Sequence, residues 1–277
     1  MSNNLLAGKV GIISGALDEK SIAWKVAQRA HAQGARFVLT NAPIAMRMGE
    51  IKKLSAECDA PIIPADATSV EELEALFSGA QEHLGGKLDF VLHSIGMSPN
   101  VRKKKDYGNL DYKFFQQTID VSAMSFHKMM HVAEKQDALN EWASIVALSY
   151  IAAQRVFPDY TDMSQAKAML ESIARNYGHR LGVQKKVRVN TISQSPTKTT
   201  AGTGVGGFDA FFDYADKMSP LGNAPAEACA DYCISLFSDL TRYVTMQNLL
   251  HDGGFSSMGI SEHVVEALTK MAETQQA

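Results

Sequence analysis

The sequence predicts an α/β fold: one domain on a doubly wound, mostly seven-stranded parallel sheet with helices on both faces. Three observations carry this. Short apolar runs alternate with amphipathic helical segments along the whole chain. The connections between them are short, as in βαβ units. The chain has 277 residues, 45% hydrophobic and 21% charged. That length allows one large domain or two small ones, and no linker, internal repeat or low-complexity stretch divides it.

Each element follows from its local pattern. Lys9 to Gly15 (KVGIISG) is an apolar run ending in glycine, a first strand. Ser21 to Gln33 has helical periodicity, with Gly34 as a natural stop. The loop between them opens on Gly15, and a strand, a glycine turn and a helix N-terminus can hold a pyrophosphate. Only Gly15, with Ser21 six residues on, stands where a glycine-rich fingerprint is usual, so a plain βα turn is an equal reading. Arg36 to Asn41 is a second strand. It ends in Asn41-Ala42-Pro43 with Arg47 beyond, offering neither an acid nor a strong basic pair at the ribose position, a pattern that leans to NADH.

Pro61 to Asp66 is a third strand candidate with Asp66 at its carboxyl end; Asp66 reads equally well as a turn residue or helix cap. Ser69 to His83 is helical, with Ser69 and Glu72 spaced as a capping box. Leu88 to Ile95 is a fourth strand running into Ser94-Ile95-Gly96, where a missing side chain lets a ring approach the backbone. Arg102 to Lys105 is a basic run, either a solvated loop or a docking point for an acidic or phosphate-bearing partner. Asp111 to Leu139 is mostly helical and rich in methionine, as cores and subunit interfaces are. Trp142 to Ser149 is the fifth strand and Lys186 to Ser193 the sixth. The latter enters a run of hydroxyl residues that could meet a phosphate or carboxamide. Ala201 to Phe208 holds four glycines in eight residues, a mobile lid or a merely flexible connection. Ala224 to Leu236 is a helix, Val244 to His251 a last strand, and the segment from Ser261 a polar helix.

The segment Ser149 to Lys167 contains Tyr150, Tyr160 and Lys167. Tyr160 and Lys167 are seven residues apart. On a helix, at roughly 100° per residue, that spacing returns to nearly one face, about 10 Å further along. The lysine's field would favour ionised tyrosine, letting the phenol give or take a proton near neutral pH. The plain alternative is a helix start with a packing tyrosine and an exposed lysine.

Composition narrows the function. A net charge of −3 provides no general field for nucleic acid. No apolar run approaches the roughly 20 residues of a membrane span. The opening MSNNLLAGKVGIISG lacks the pattern of a signal peptide. Three cysteines suggest reduced thiols in a cytoplasm, and Cys229 and Cys233 have no nearby Cys/His pair to complete a metal set, so no metal is expected.

With these pieces assembled, the chain resembles the short-chain dehydrogenase/reductase superfamily. More closely, it is similar to the bacterial NADH-dependent enoyl-acyl-carrier-protein reductases of type II fatty acid synthesis. The resemblance runs from about Leu5 to Gly259. Gly15 with Ser21-Ile22-Ala23 matches that family's divergent nucleotide loop. His93-Ser94-Ile95-Gly96 stands where most of the superfamily carries Asn-Ala-Gly. Most of its members place a tyrosine four residues before the lysine, where this chain has Met163; the wider Tyr160–Lys167 spacing marks the enoyl reductases. Tyr150 stands where ketoreductases keep a serine, and Asp252 to Phe255 fits the last strand and turn. The departures are Ser195 and Thr197 in the usual Gly-Pro-Ile motif, Ala42 where a glutamine is common, and Ser98 where alanine is usual.

The resemblance implies a Rossmann-like fold and hydride transfer from NADH, NADPH being less favoured, to the β-carbon of a trans-2-enoyl thioester. It implies three catalytic residues: Tyr160 hydrogen-bonds the thioester oxygen, Lys167 holds the nicotinamide ribose hydroxyls and adds positive potential, and Tyr150 lines the pocket and assists the proton relay. Cofactor contacts would come from Gly15, Ser21, Ile22, Ala42, Asp66, Ala67, Ser94, Ile95, Gly96, Thr197, Lys198, Thr199, Thr200 and Ala201. Ser98 would join the two tyrosines around the substrate. A lid around residues 197–217 would close over the acyl chain, walled by Phe208, Phe211 and Phe212. The implied partners are an acyl carrier protein and three further copies of the chain in a homotetramer. Two other readings are a ketone or aldehyde reductase of the same superfamily and a non-catalytic NADH-binding protein.

Overall fold

The computed structural model describes residues 3–200 and 208–276. The strands are β1 (Val10–Ser14), β2 (Arg36–Thr40), β3 (Leu88–His93), β4 (Leu139–Ser149), β5 (Arg188–Gln194) and β6 (Asn248–His251). The helices are α1 (Ile22–Ala32), α2 (Pro43–Met48), α3 (Ile51–Cys58), α4 (Val70–Leu84), α5 (Pro99–Arg102), α6 (Tyr112–Ile119), α7 (Ser125–Lys135), α8 (Thr161–Lys185), α9 (Phe208–Met218), α10 (Ala226–Phe237) and α11 (Glu262–Gln276). A π turn over Asp120–Met124 joins α6 to α7.

Among the described residues the sheet has six strands in the order β2-β1-β3-β4-β5-β6, all parallel. Strand residues alternate between two cores, because successive side chains point to opposite faces. Ile12, Val91 and Ile145 enter one core with α4, α7 and α8. Ile13, Leu92 and Val146 enter the other with α1, α3 and α10. Both faces are therefore covered, as the doubly wound reading requires.

Two expected strands are corrected. Pro61 to Asp66 is not a ladder strand: only Ile62 bridges to Leu39, with Ile63 N and Ala65 N donating to Leu39 O and Asn41 O. Pro61 has no N–H with which to extend the pairing towards the start of β2. The count is therefore six, not seven. The last strand begins at Asn248 rather than Val244, because Met246 has φ of 62°, which extended pairing does not accommodate. The capping box is half formed. Ser69 Oγ accepts from Glu72 N, but the Glu72 carboxylate accepts from Asp66 N instead. That bond ties the start of α4 to the end of the Pro61 segment.

Strand order reverses beside β1, with β2 on one side and β3 on the other. The carboxyl ends of β1 and β3 therefore diverge into separate loops and leave a crevice, the usual ligand position in an open α/β sheet.

Candidate active site

Gly15 lies at this crevice. Its φ is +94°, and a Cβ there would fall 2.0 Å from Ser94 O, so only glycine lets the two loops come this close. Ser21 is spent locally: its Oγ accepts from Leu17 N and Asp18 N and fixes the turn before α1. No side chain caps α1; Trp24 N donates to Ser21 O, and among the described residues the N–H groups of Ile22 and Ala23 stay available to an anion.

A cavity of about 260 Å³ opens at the same edge of the sheet. Ile22, Ser94, Ile95, Gly96, Ser98, Tyr150, Tyr160, Lys167, Thr197 and Thr199 all line it. The structure thus gathers ten of the expected site residues. Ala42, Asp66 and Ala67 do not line this cavity. They lie further along the carboxyl edge, beside β2, where Ala65 N donates to Asn41 O. Asp66 Oδ1 accepts from the backbone and hydroxyl of Thr68, the turn role that the sequence left open. Lys198 stands over the Phe212 ring at 4.5 Å, and Thr200 Oγ1 bonds the Asp18 carboxylate, so neither faces the cavity. Ala201 and the glycine-rich stretch 202–207 lie outside the described residues. Of the expected aromatic wall, Phe208 and Phe211 line the cavity and Phe212 does not.

Tyr160 and Lys167 do reach one site, though not along one helix. Tyr160 ends a 3₁₀ turn, Pro158–Tyr160. Thr161 follows at φ 30° and ψ −122°, a strained backbone for a side chain branched at Cβ, and α8 begins there. The kink, not helical periodicity, aims the phenol. Burial raises the pKa of Tyr160 above the usual phenol range. This corrects the expectation of an ionised tyrosine: Tyr160 is a protonated hydrogen-bond donor.

Lys167 is 7% exposed, and its Nζ donates to Leu148 O at 2.8 Å. Burial lowers its pKa to about 8, opposed by the negative charge of Glu171 one turn on. Glu171 is itself held by Ser149 Oγ at 2.7 Å and Gln154 Nε2 at 3.1 Å. The i, i+4 spacing of Lys167 and Glu171 made this partner findable in sequence. His93 is buried in β3 with Nε2 2.8 Å from Ser125 Oγ, and burial, then the Lys167 charge, lower its pKa to about 3. It is a neutral imidazole, so the cation beside Tyr160 on α8 is Lys167 and not His93.

Tyr150 packs edge-on to Tyr160, ring centroids 5.1 Å apart, and also against Phe157 at 5.3 Å. Among the described residues its Oη is buried without a hydrogen-bond partner, and burial raises its pKa. A buried hydroxyl without a partner is costly alone and marks where a ligand group fits. Ser98 lines the cavity, but its hydroxyl is turned away, to the Asp162 carboxylate at 2.7 Å.

This geometry agrees with comparison to known proteins. The family profile described as Enoyl-(Acyl carrier protein) reductase matches residues 15–256. The enoyl-[acyl-carrier-protein] reductase [NADH] 2 of Rhizobium meliloti (strain 1021) is 33% identical over 260 residues, covering 92% of this chain and 94% of that one. The FabI–NADH complex from Alistipes finegoldii is 61% identical with a TM-score of 0.93, covering 94% of this chain and 92% of that one. A second FabI structure from Alistipes finegoldii is 56% identical with a TM-score of 0.94, covering 99% and 100%. A half-buried phenol and a buried ammonium on one cavity at the carboxyl edge of the sheet, in a chain matched over nearly its whole length, place this protein in the enoyl-acyl-carrier-protein reductase family.

Proposed function

We infer that the protein is an NADH-dependent enoyl-acyl-carrier-protein reductase of fatty acid elongation. The observation that carries this reading is the convergence of protonated Tyr160 and buried cationic Lys167 on one largely apolar cavity. The residues present fit a nicotinamide dinucleotide. Gly15 permits close approach, and α1 presents the N–H groups of Ile22 and Ala23. When bound, NADH supplies the hydride that reaches the β-carbon of a trans-2-enoyl thioester.

The chain's own residues then manage charge. Tyr160 Oη donates a hydrogen bond to the thioester oxygen, where negative charge grows as the β-carbon is reduced. In a site drier than water such a donor is worth more than in solvent. Lys167 uses one N–H on Leu148 O and has two more for the ribose hydroxyls. Its charge adds positive potential beside the same oxygen. Tyr150 walls the thioester against Phe157. Gly15, Ser21, Ile22, Ser94 to Gly96 and Thr197 to Ala201 are our assignment for the remaining cofactor contacts, with Asp66 and Ala67 at the adenine end and Ala42 beside them.

The basic run suits an acidic carrier protein. Arg102 lines the cavity mouth, and Lys103 and Lys104 beside it are exposed. A homotetramer in a reducing cytoplasm completes the reading; the free thiols Cys58, Cys229 and Cys233 agree with it. No helix among the described residues is long and apolar enough to cross a membrane.

Cofactor oxidation tests the function directly. Purified protein is given an enoyl thioester with NADH or NADPH, and a ketoacyl thioester as control. Loss of NADH with the enoyl substrate alone is expected. Turnover with only the ketoacyl substrate would refute the reading.

A further inference from the structure

We propose that Asp162 is a positioning residue of this site: its buried carboxylate fixes the Ser98–Arg102 wall against the segment that carries Tyr160 and Lys167. The proposal rests on the reading of the cavity as the acyl thioester site.

Asp162 is 0% exposed. Oδ1 accepts from Ser98 Oγ at 2.7 Å and Thr161 Oγ1 at 3.3 Å. Oδ2 accepts from Asn100 Nδ2 at 2.8 Å and lies 2.8 Å from Thr118 Oγ1. No Lys, Arg or His pairs with it among the described residues. An ionised carboxylate out of water costs several kcal/mol unless polar partners replace its hydration. Here the polar partners are side chains drawn from three places: Ser98 and Asn100 at the turn into α5, Thr161 of α8, and Thr118 at the end of α6, whose one hydroxyl lies 2.8 Å from both Asp162 Oδ2 and Phe114 O. The carboxylate therefore holds those three segments in one arrangement.

The arrangement reaches the site directly. Ser98 Oγ also accepts from Val101 N at 3.0 Å, which starts α5. Asn100 returns to the chain further on: Oδ1 accepts from Asp111 N and Nδ2 donates to Asp111 O, both at 3.1 Å. Asp111 in turn caps α6 through Lys113 N and Phe114 N. Val101, Met163 and Ala166 pack together with Tyr160 against them. Ser98, Val101, Arg102, Tyr160 and Met163 all line the cavity. Moving the carboxylate's partners therefore moves the wall relative to the phenol. Lys167 has different anchors, Leu148 O and the Glu171 field. The nicotinamide side is held independently, so the two effects separate.

The test is steady-state kinetics with an enoyl thioester alongside fluorescence titration with NADH. The titration is repeated with a saturated acyl thioester as an unreactive probe of the wall. Asp162→Asn puts an amide donor among donors. KM for the enoyl thioester should rise about tenfold while Kd for NADH stays within about twofold, because the misplaced wall acts on the acyl ligand alone. Thr118→Val removes one polar partner of the carboxylate outside the cavity and should raise KM about threefold by the same route. An unchanged KM in a folded Asp162→Asn enzyme would overturn the proposal. So would equal weakening of NADH and thioester, the signature of a merely structural residue. If Asp162→Asn does not fold, Thr118→Val decides alone, and an unchanged KM there overturns the proposal. Failure of the wild-type protein to reduce enoyl thioesters would refute the reaction assignment instead. The saturated probe would still report whether Asp162 sets the wall.

Discussion

Replacing Lys167 with methionine should change how stability depends on pH. The ammonium is 7% exposed, and burial lowers its pKa from 10.5 to about 8. At about 1.4 kcal/mol per tenfold change, that difference amounts to about 3 kcal/mol. The sign follows from proton counts. Between pH 8 and 10.5 the unfolded chain keeps a proton that the folded chain has released. Raising pH through that window therefore favours the folded state. The gain is absent below the folded value and complete above the unfolded one. Lys167→Met removes this titration and fills the space with an unbranched side chain. Denaturant unfolding of both proteins, at one protein concentration and from pH 7 to 10, isolates the difference because every other group titrates in both. Wild type should gain most of about 3 kcal/mol on the variant by pH 10. Parallel profiles would refute the assignment of Lys167 as a buried, depressed ammonium. NADH titration at pH 7 provides the functional counterpart: the variant should lose chiefly cofactor affinity, and unchanged affinity would remove the lysine from the ribose site.

Tyr160→Phe should lower kcat by about 10²- to 10³-fold, the worth of one donor to developing charge, with NADH affinity within about twofold. Equal loss of both would refute the donor role. Tyr150→Phe removes a buried hydroxyl that has no partner among the described residues and should raise stability by about 1 kcal/mol in thermal melts; a destabilised variant would reveal a partner for Oη. Neutralising Lys103, Lys104 and Lys105 should raise KM about tenfold for carrier-protein substrates, leave short thioesters unaffected, and lose its effect at high salt, since exposed charges are screened. An equal change for both substrates would make the run a solvated loop.

Much of the fold was legible because it is written in local periodicity. Apolar runs located β1, β3, β4 and β5, the first two of them bounded by glycine, and the Ser69 cap located α4. Where local pattern and pairing chemistry disagreed, pairing won: Pro61 could not extend a ladder, and Met246 turned the chain before β6. The helices α2 and α3 left no clear signal, since each is shorter than three turns and takes its place from packing.

At the site, the sequence by itself determined which groups are present. Gly15, Tyr150, Tyr160 and Lys167 carried the family resemblance, and the reaction class followed from that resemblance. Their states were decided only by tertiary structure. Burial depends on what covers a side chain, so it could not be read from spacing that Tyr160 stays protonated or that Lys167 is depressed. The kink at Thr161 replaced the single helix face that periodicity suggested. Asp162 is the clearest case. In sequence it is one acidic residue in the first turn of a helix, and such residues are ordinarily solvated. Its donors come from as far as Ser98, 64 residues away, and only the folded chain brings them around one carboxylate.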